Sequence, residues 1–240
     1  MLRSLFIIML LIVTSTAFGQ EQSNRKSQDH FYLSLAKFDL GWYGGRPETK
    51  WFNQAISIGA MHDKPLGKGP FSVALGLGFS TYNYHSNLRV ADGDLVAYHI
   101  PIWETDSTWH GYSSTLKPNE FVKNKISWTY IDIPFEFRIR TKPNNKNNYF
   151  KISLGAKLSV LLQTHSKLKT KEYTEKYVNF SPSNKWDIGP TIGIGYGRWS
   201  LQMALGFRPV LYTANGSTFE WDSEAPANKL TTGIVYHISK

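Results

Sequence analysis

The sequence predicts an all-β fold, an eight-stranded antiparallel up-and-down transmembrane β-barrel, on three observations. From residue 31 onward, segments of roughly 13 to 19 residues alternate between apolar and polar side chains. One face of each segment is large and apolar, which suits lipid, whereas the other mixes glycine, serine and charges of both signs, which suits a narrow lumen. Short connections alternate with long ones between the segments, as in outer-membrane barrels.

The composition excludes several other classes of protein. The 240 residues contain 15% aromatic and only 19% charged residues, the opposite of a disordered chain. The absence of cysteine excludes disulfides, thiolate metal sites, a cysteine nucleophile and a lipoprotein anchor. The net charge of +9 would suit nucleic acid, but the export signal described next argues against that partner.

Residues 1–19 form a predicted signal peptide. Arg3 precedes an apolar run from Leu5 to Val13, and small and polar residues follow as far as Gly19. This run is about half the length that a membrane-spanning helix needs. We therefore expect a cleaved signal peptide, a polar tail over residues 20–30 and one barrel domain over residues 31–240, located in the cell outer membrane.

The predicted strands lie near residues 31–43, 51–63, 70–86, 125–141, 148–166, 185–197, 199–213 and 228–240. The first loses its alternation between Lys37 and Leu40, where we expect a β-bulge. The third is the clearest, since every second residue from Phe71 to Phe79 is large and apolar, whereas those from Ser72 to Ser80 are small.

The fourth to sixth strands repeat the pattern, and the last keeps an apolar stripe through Ile234, Tyr236 and Ile238. In the fifth strand Leu161 is an apolar exception on the polar face. Three prolines stand inside predicted strands, where a closed barrel has no free edge to accommodate a missing N–H donor, so we expect bulges or register shifts there. They are Pro134, Pro190 and Pro209.

The connections predict the orientation of the barrel. The short ones are Lys64–Gly69, Lys142–Asn147 and the turn around Arg198, and the long ones are Asn87–Asn124, Lys167–Asn184 and Ala214–Ala227. Short turns are expected on the periplasmic side and long loops outside. Aromatic residues near the strand ends predict two interfacial belts. The outer belt comprises Trp42, Tyr43, Trp51, Tyr82, Tyr84, Trp128, Trp186 and Tyr212, and the periplasmic belt comprises Phe31, Phe71, Tyr149, Phe150, Tyr196, Trp199 and Tyr236.

Eight charged residues on the polar faces are interpreted as an interior salt-bridge network. An eight-stranded barrel is just wide enough for side chains to fill it, so a water-filled pore is not expected. The residues are Asp132, Glu136, Arg138, Arg140, Lys151, Lys157, Asp187 and Arg208. The sequence predicts no catalytic, metal-binding or cofactor-binding residue.

The longest loop, residues 87–124, is the candidate binding surface. Exposed aromatic rings among polar groups can stack on sugars or bind a protein, and the equally open alternative is that they pack together over the barrel mouth. The candidate residues are Tyr98, Trp103, Trp109, His110 and Tyr112. Lysines concentrate on the same side, among them Lys125, Lys167 and Lys169, and phosphate groups of lipopolysaccharide suit them better than nucleic acid. A solvated surface without a partner is the default interpretation of these lysines.

An enzyme at the outer rim is the alternative. A serine nucleophile needs a base that a carboxylate orients. Ser86 with His165 is the conceivable pair, because adjacent residues of a strand point to opposite faces and cannot pair with each other.

The segment from Tyr130 to Arg138, YIDIPFEFR, resembles a motif of the PorT-like outer-membrane β-barrel proteins of the Bacteroidota. Residues 70–78 and 150–157 are similar to other strands of that family. The final residues His237-Ile-Ser-Lys240 depart from the aromatic end that outer-membrane strands commonly have. The resemblance implies a barrel fold. The protein after which that family is named is needed for protein secretion.

The leading hypothesis is therefore a non-enzymatic, structural or accessory outer-membrane barrel that binds a partner in secretion or envelope assembly. The expected surroundings are outer-membrane lipid and lipopolysaccharide. The alternatives are a rim enzyme acting on lipid A or another envelope lipid, and a soluble lipocalin-like ligand binder.

Overall fold

The structure is a computed structural model. It describes residues 28–41, 51–67, 69–86, 89–91, 94–96, 121–142, 144, 148–179, 184–210 and 228–239. The predicted signal peptide and the five candidate loop aromatics lie outside these residues. No helix among the described residues is long and apolar enough to cross a membrane.

Eight of the eleven described strands form a closed antiparallel barrel, which confirms the predicted fold. Each barrel strand pairs with the next in chain order, and the first pairs with the last. The barrel strands are β1 (Gln28–Gly41), β2 (Asn53–Pro65), β3 (Phe71–Tyr84), β6 (Phe121–Arg140), β7 (Phe150–Thr170), β9 (Trp186–Tyr196), β10 (Trp199–Pro209) and β11 (Asn228–Ser239). The short strands β4 (Arg89–Ala91), β5 (Asp94–Val96) and β8 (Thr174–Val178) were not predicted. Residues 28–30, predicted as tail, belong to β1.

The outward face of the barrel is a band of exposed apolar side chains, as the alternating pattern predicts. In β9, for example, exposed and buried residues alternate without exception from Trp186 to Tyr196. Members of the band on other strands are Leu33, Leu35, Ile56, Ile58, Leu77, Phe79, Leu154, Val160, Leu162, Leu201, Met203 and Ile234. This band is the surface that faces lipid.

The two ends of the barrel differ in their connections, and we name them the turn end and the loop end. At the turn end, short connections join β2 to β3, β6 to β7 and β9 to β10. The last of these has only two residues, and its Gly197 has a φ of 57°, a backbone conformation that favours glycine. The longer connections all lie at the loop end, as predicted.

The strand prolines behave differently from one another. At Pro209 the pairing of β10 with β11 shifts register, as expected. The expectation is wrong for Pro134 and Pro190. At Pro134 the β3–β6 ladder is interrupted but resumes in the same register. At Pro190 the β9–β10 ladder ends, with its last pair at the next residue, Thr191. Each of these prolines still pairs on its other side, Pro134 with Lys157 and Pro190 with Ala156. A missing N–H affects only the neighbour toward which it would point, so no extra residue is needed.

The bulge expected in β1 is also absent, because its register with both neighbours is continuous. The alternation fails around Lys37 because the inward residues Phe38 and Leu40 are apolar, while Lys37 faces outward. An irregularity that was not predicted lies in β7, where Thr129 and Tyr130 of β6 oppose Gln163 and Leu161.

The extra residue in β7 reverses which residues point inward. Before it, Ser159 is buried in the lumen, and after it Thr164, Ser166 and Leu168 are the buried positions. Leu161, the exception in the sequence pattern, packs against the apolar interior. Beyond this point β6 and β7 remain paired with each other, and β7 also pairs with β8. We call residues 121–127, 163–170 and 174–178 the loop-end extension.

Candidate functional site

The lumen near the turn end contains an ion network centred on Arg138. Its Nη1 donates to Asp63 Oδ2 at 2.6 Å and its Nε donates to Glu136 Oε2 at 2.8 Å. Arg140 forms a second salt bridge with Asp63, and Gln202 Nε2 donates to the other oxygen of Glu136 at 3.0 Å. The side chains of Arg138 and Asp63 are 2% and 1% exposed, so the charges are removed from water and depend on one another.

A second group of charges lies halfway along the lumen. Lys157 Nζ is 3.4 Å from Asp132 Oδ2 and donates to the hydroxyl of Tyr82 at 2.9 Å. Ser159 Oγ donates to Asp132 Oδ1 at 2.6 Å. Because Asp132 and Ser159 are directly opposite each other in the β6–β7 ladder, the pairing register itself holds this contact.

A third ion pair joins Lys229 Nζ to Asp187 Oδ2 at 2.9 Å. The same ammonium lies 4.0 Å from the ring centroid of Tyr130, which adds a cation–π contact. The backbone N–H of Arg208 donates to Asp187 Oδ1 at 2.9 Å. The guanidinium of Arg208 was predicted to join the interior network. It lies instead over the exposed ring of Trp186, with Cζ 4.2 Å from the ring centroid.

Toward the loop end the lumen becomes apolar, whereas the sequence predicted a polar lumen throughout. The ring of Phe38 packs edge-on against the ring of Tyr82, with 5.1 Å between the ring centroids. It also packs against the rings of Tyr84 and Trp128. Tyr82, Tyr84 and Trp128 were assigned to the outer aromatic belt, and this is wrong because all three are buried inside the barrel. The buried members of this aromatic plug are Ala36, Phe38, Leu40, Ala55, Tyr82, Tyr84, Ile126, Trp128, Tyr130 and Val210.

Between the ion network and the plug lies a cavity of about 50 Å³. Its lining includes Tyr32, Lys151, Ser200 and His237. Lys151 is 6% exposed and forms no salt bridge with another described residue. A space of this size holds a few water molecules, and it is far smaller than the apolar cavity that a lipocalin-like carrier needs.

Sequence reasoning missed several interior residues that the structure brings to the network. The buried residues of the lumen also include Asp63, Tyr32, Lys229 and His30. His30 Nε2 lies 3.2 Å from Arg138 Nη1. Asp63 could have been found, because it shares the inward parity of Ser57 and Gly59 in β2. His30 could not, since it falls in a segment that reads as a polar tail.

The candidate serine and histidine of a rim enzyme do not form a pair. Ser86 is 4% exposed on the inward face. His165 belongs to the opposite face of the wall, since its neighbours Thr164 and Ser166 are the buried residues. A serine–histidine contact does occur inside the turn end, where Ser200 Oγ is 3.3 Å from His237 Nε2. It lies within the closed lumen.

The loop-end extension presents lysines on its outward face. Lys125 of β6, Lys167 of β7 and Lys176 of β8 are direct cross-strand neighbours. On β7, Lys169 and His165 lie on the same face as Lys167, two residues after it and two residues before it. The pKa of His165, in the extension beyond the apolar band, is lowered by partial burial and then by the charges of Lys125, Lys176 and Lys167. We call Lys125, Lys167, Lys169 and Lys176 the basic face.

Comparison with known proteins identifies the family. A family model for an outer membrane protein beta-barrel domain matches residues 48–211. The crystal structure of Ail, the attachment invasion locus protein of Yersinia pestis, is similar with a TM-score of 0.36 and 7% identity, over 89% of this chain and 100% of that chain. A crystal structure of Ail with the heparin analogue sucrose octasulfate gives 0.38 at the same identity and coverage. Curated protein sequences gave no match. Because the family match covers more than half of the chain, the protein belongs to the outer-membrane protein β-barrel domain family and is an outer-membrane protein.

Proposed function

We propose that the protein is a non-enzymatic accessory barrel, of the PorT-like kind, that binds a protein partner of envelope secretion or assembly through its loop end. The closed lumen carries this proposal. Three ion-paired groups and an aromatic plug fill the interior in succession, leaving a cavity of about 50 Å³. Such an interior supports neither conduction nor capture of a ligand, so the remaining working surfaces are outside it.

The loop end is the better candidate of the two ends. The connections at the turn end are short, and the last has two residues. At the loop end, β7 has 21 residues, about twice what a tilted spanning strand requires, so part of it stands beyond the membrane. We propose that this end faces the cell exterior and that Tyr98, Trp103, Trp109, His110 and Tyr112 contribute to the partner contact, because large aromatic side chains dominate protein interfaces.

The experiment is co-purification from the native envelope after in-cell cross-linking. We expect a W103A/W109A variant to lose a defined secretion or assembly protein that the wild type retains. W51A is the matched control, since Trp51 is 86% exposed near another loop. Equal recovery with W103A/W109A and the wild type would contradict the loop assignment. Ion conductance of the reconstituted barrel in planar bilayers would contradict the closed lumen.

A further inference from the structure

We propose that the basic face binds the phosphate groups of lipopolysaccharide in the outer leaflet. This inference rests on the proposed orientation, with the loop end outside. Three cations on adjacent strands, at the spacing of direct cross-strand neighbours, form a cluster that closely spaced phosphates can neutralise. Lipopolysaccharide presents several phosphates on one headgroup, whereas a phosphatidylglycerol presents one.

The height of the basic face suits a headgroup. The apolar band on β7 ends at Leu162, which is exposed on the outward face. Lys167 is on the same side five residues further, about 16 Å along the strand and about 12 Å along the membrane normal at a tilt of about 40°. Trp186, also exposed, pairs with Val160 at the upper edge of the band, where interfacial tryptophans lie. Lysine side chains extended toward the bilayer therefore reach the phosphate layer.

Protection of a sheet edge does not account for the cluster. Lys176 is on β8, the last strand of its sheet, where a lysine discourages pairing with another chain. Lys167 is not on an edge, because at this position β7 is paired on both sides, with Lys125 of β6 and with Lys176 of β8. Lys125 Nζ also donates to Asn83 Oδ1 at 3.1 Å. Like charges directly opposite each other destabilise a sheet, and an anionic ligand beside Lys167 and Lys176 lowers that cost.

The test is a titration of fluorescently labelled lipopolysaccharide with the detergent-solubilised full chain, followed by fluorescence anisotropy. We expect the K167Q/K176Q variant to bind at least about tenfold more weakly than the wild type, since each cation near an anionic surface contributes roughly a factor of five. The control K142Q/R198Q removes the same charge from the exposed turn end and should bind within about twofold of the wild type. Heat-modified gel mobility verifies that each variant is folded.

Three further arms identify the ligand. Lipopolysaccharide with its phosphates removed should bind weakly, and inorganic phosphate and added salt should compete with the intact lipid. Equal loss in both double variants, or equal binding of the dephosphorylated lipid, would overturn the proposal. Equal affinity for phosphatidylglycerol would overturn the assignment to lipopolysaccharide. Salt-insensitive binding by the wild type would also overturn it, without recourse to any variant.

The orientation is tested separately. Because the chain contains no cysteine, a Lys176→Cys variant offers a single thiol. Labelling by a membrane-impermeant maleimide on intact cells supports the outside position, and protection until the cells are broken overturns it. Failure of lipid binding with a labelled thiol leaves the partner-binding function standing, so the two proposals fail independently.

Discussion

Arg138 offers the sharpest test of how the interior is held together. Its guanidinium bonds to Asp63 and Glu136, and both carboxylates are almost fully buried. Replacing Arg138 with methionine keeps an unbranched stem of similar shape and removes the guanidinium and its charge. The two carboxylates then remain in the lumen, where Arg140 still contacts Asp63 and Gln202 still donates to Glu136.

The magnitude follows from the number of contacts. One pair of charges about 4 Å apart contributes roughly 4 kcal/mol at an effective dielectric constant of about 20, and Arg138 makes two such pairs. The neutral side chain regains the desolvation cost of the guanidinium, and Arg140 still serves Asp63. We therefore expect R138M to lower the free energy of unfolding by about 3 to 5 kcal/mol, as for other broken buried pairs.

A compensated variant separates lost attraction from lost packing. D63N/E136Q/R138M removes both stranded charges, although Arg140, whose side chain is 12% exposed, loses its salt bridge with Asp63. We expect this variant to recover part of the loss, because neutral replacements of buried ion pairs are often close to neutral in stability. The assay is urea unfolding of the barrel in lipid vesicles, followed by tryptophan fluorescence and gel mobility. R198M, at the exposed turn, is the control and should resemble the wild type. A triple variant as unstable as R138M would refute the electrostatic account and leave packing as the cause.

Three further predictions concern the interior. A Cβ on Gly189 would lie 1.6 Å from the backbone oxygen of Leu205, whereas on Gly193 its first contact is the rotatable hydroxyl of Ser153 at 2.5 Å. G189A should therefore cost about 1 to 3 kcal/mol or prevent folding, and G193A should cost less than about 1 kcal/mol, by the same unfolding assay. K151M should stabilise the barrel by about 1 kcal/mol, because it removes a buried ammonium that forms no ion pair with another residue of the described strands; destabilisation would indicate an anionic or water partner in the cavity. F38A should cost about 3 to 5 kcal/mol and leave bilayer conductance absent, since the ion-paired groups still close the lumen.

The alternation of apolar and polar side chains was sufficient to predict the barrel strands, because each strand has one face toward lipid and one toward a mostly polar or small-residue interior. It failed where that contrast is lost. Phe38 and Leu40 face inward yet are apolar, so their part of β1 read as a bulge although its register is continuous. Tyr82 and Trp128 read as belt residues because aromatic rings near a strand end suit an interface equally well, and only the parity of their strands reveals that they point inward.

The long-range partners were less accessible to sequence than the strands. Asp132 could be assigned to the lumen by parity alone, but its partners Lys157 and Ser159 depend on the register between β6 and β7. That register contains one extra residue at Leu162, which a single sequence does not reveal. The basic face depends on the same residue. Without it, Lys167 would share the inward parity of Lys151 and Lys157, so the bulge carries Lys167 to the outward face.

The bulge in β7 thus connects the closed interior to the outer surface. Below it, the inward positions of β7 supply Lys157 and Ser159 to the charge groups of the lumen. At the bulge, the side chain of Leu161 points inward and packs against the aromatic plug. Above it, Leu168 continues the buried side while Lys167 faces outward beside Lys125 and Lys176. Because a shift of one residue exchanges the two faces of a strand, one local irregularity seals the barrel and exposes the lysines. Deleting Leu162 should therefore disturb lumen closure and the basic face together.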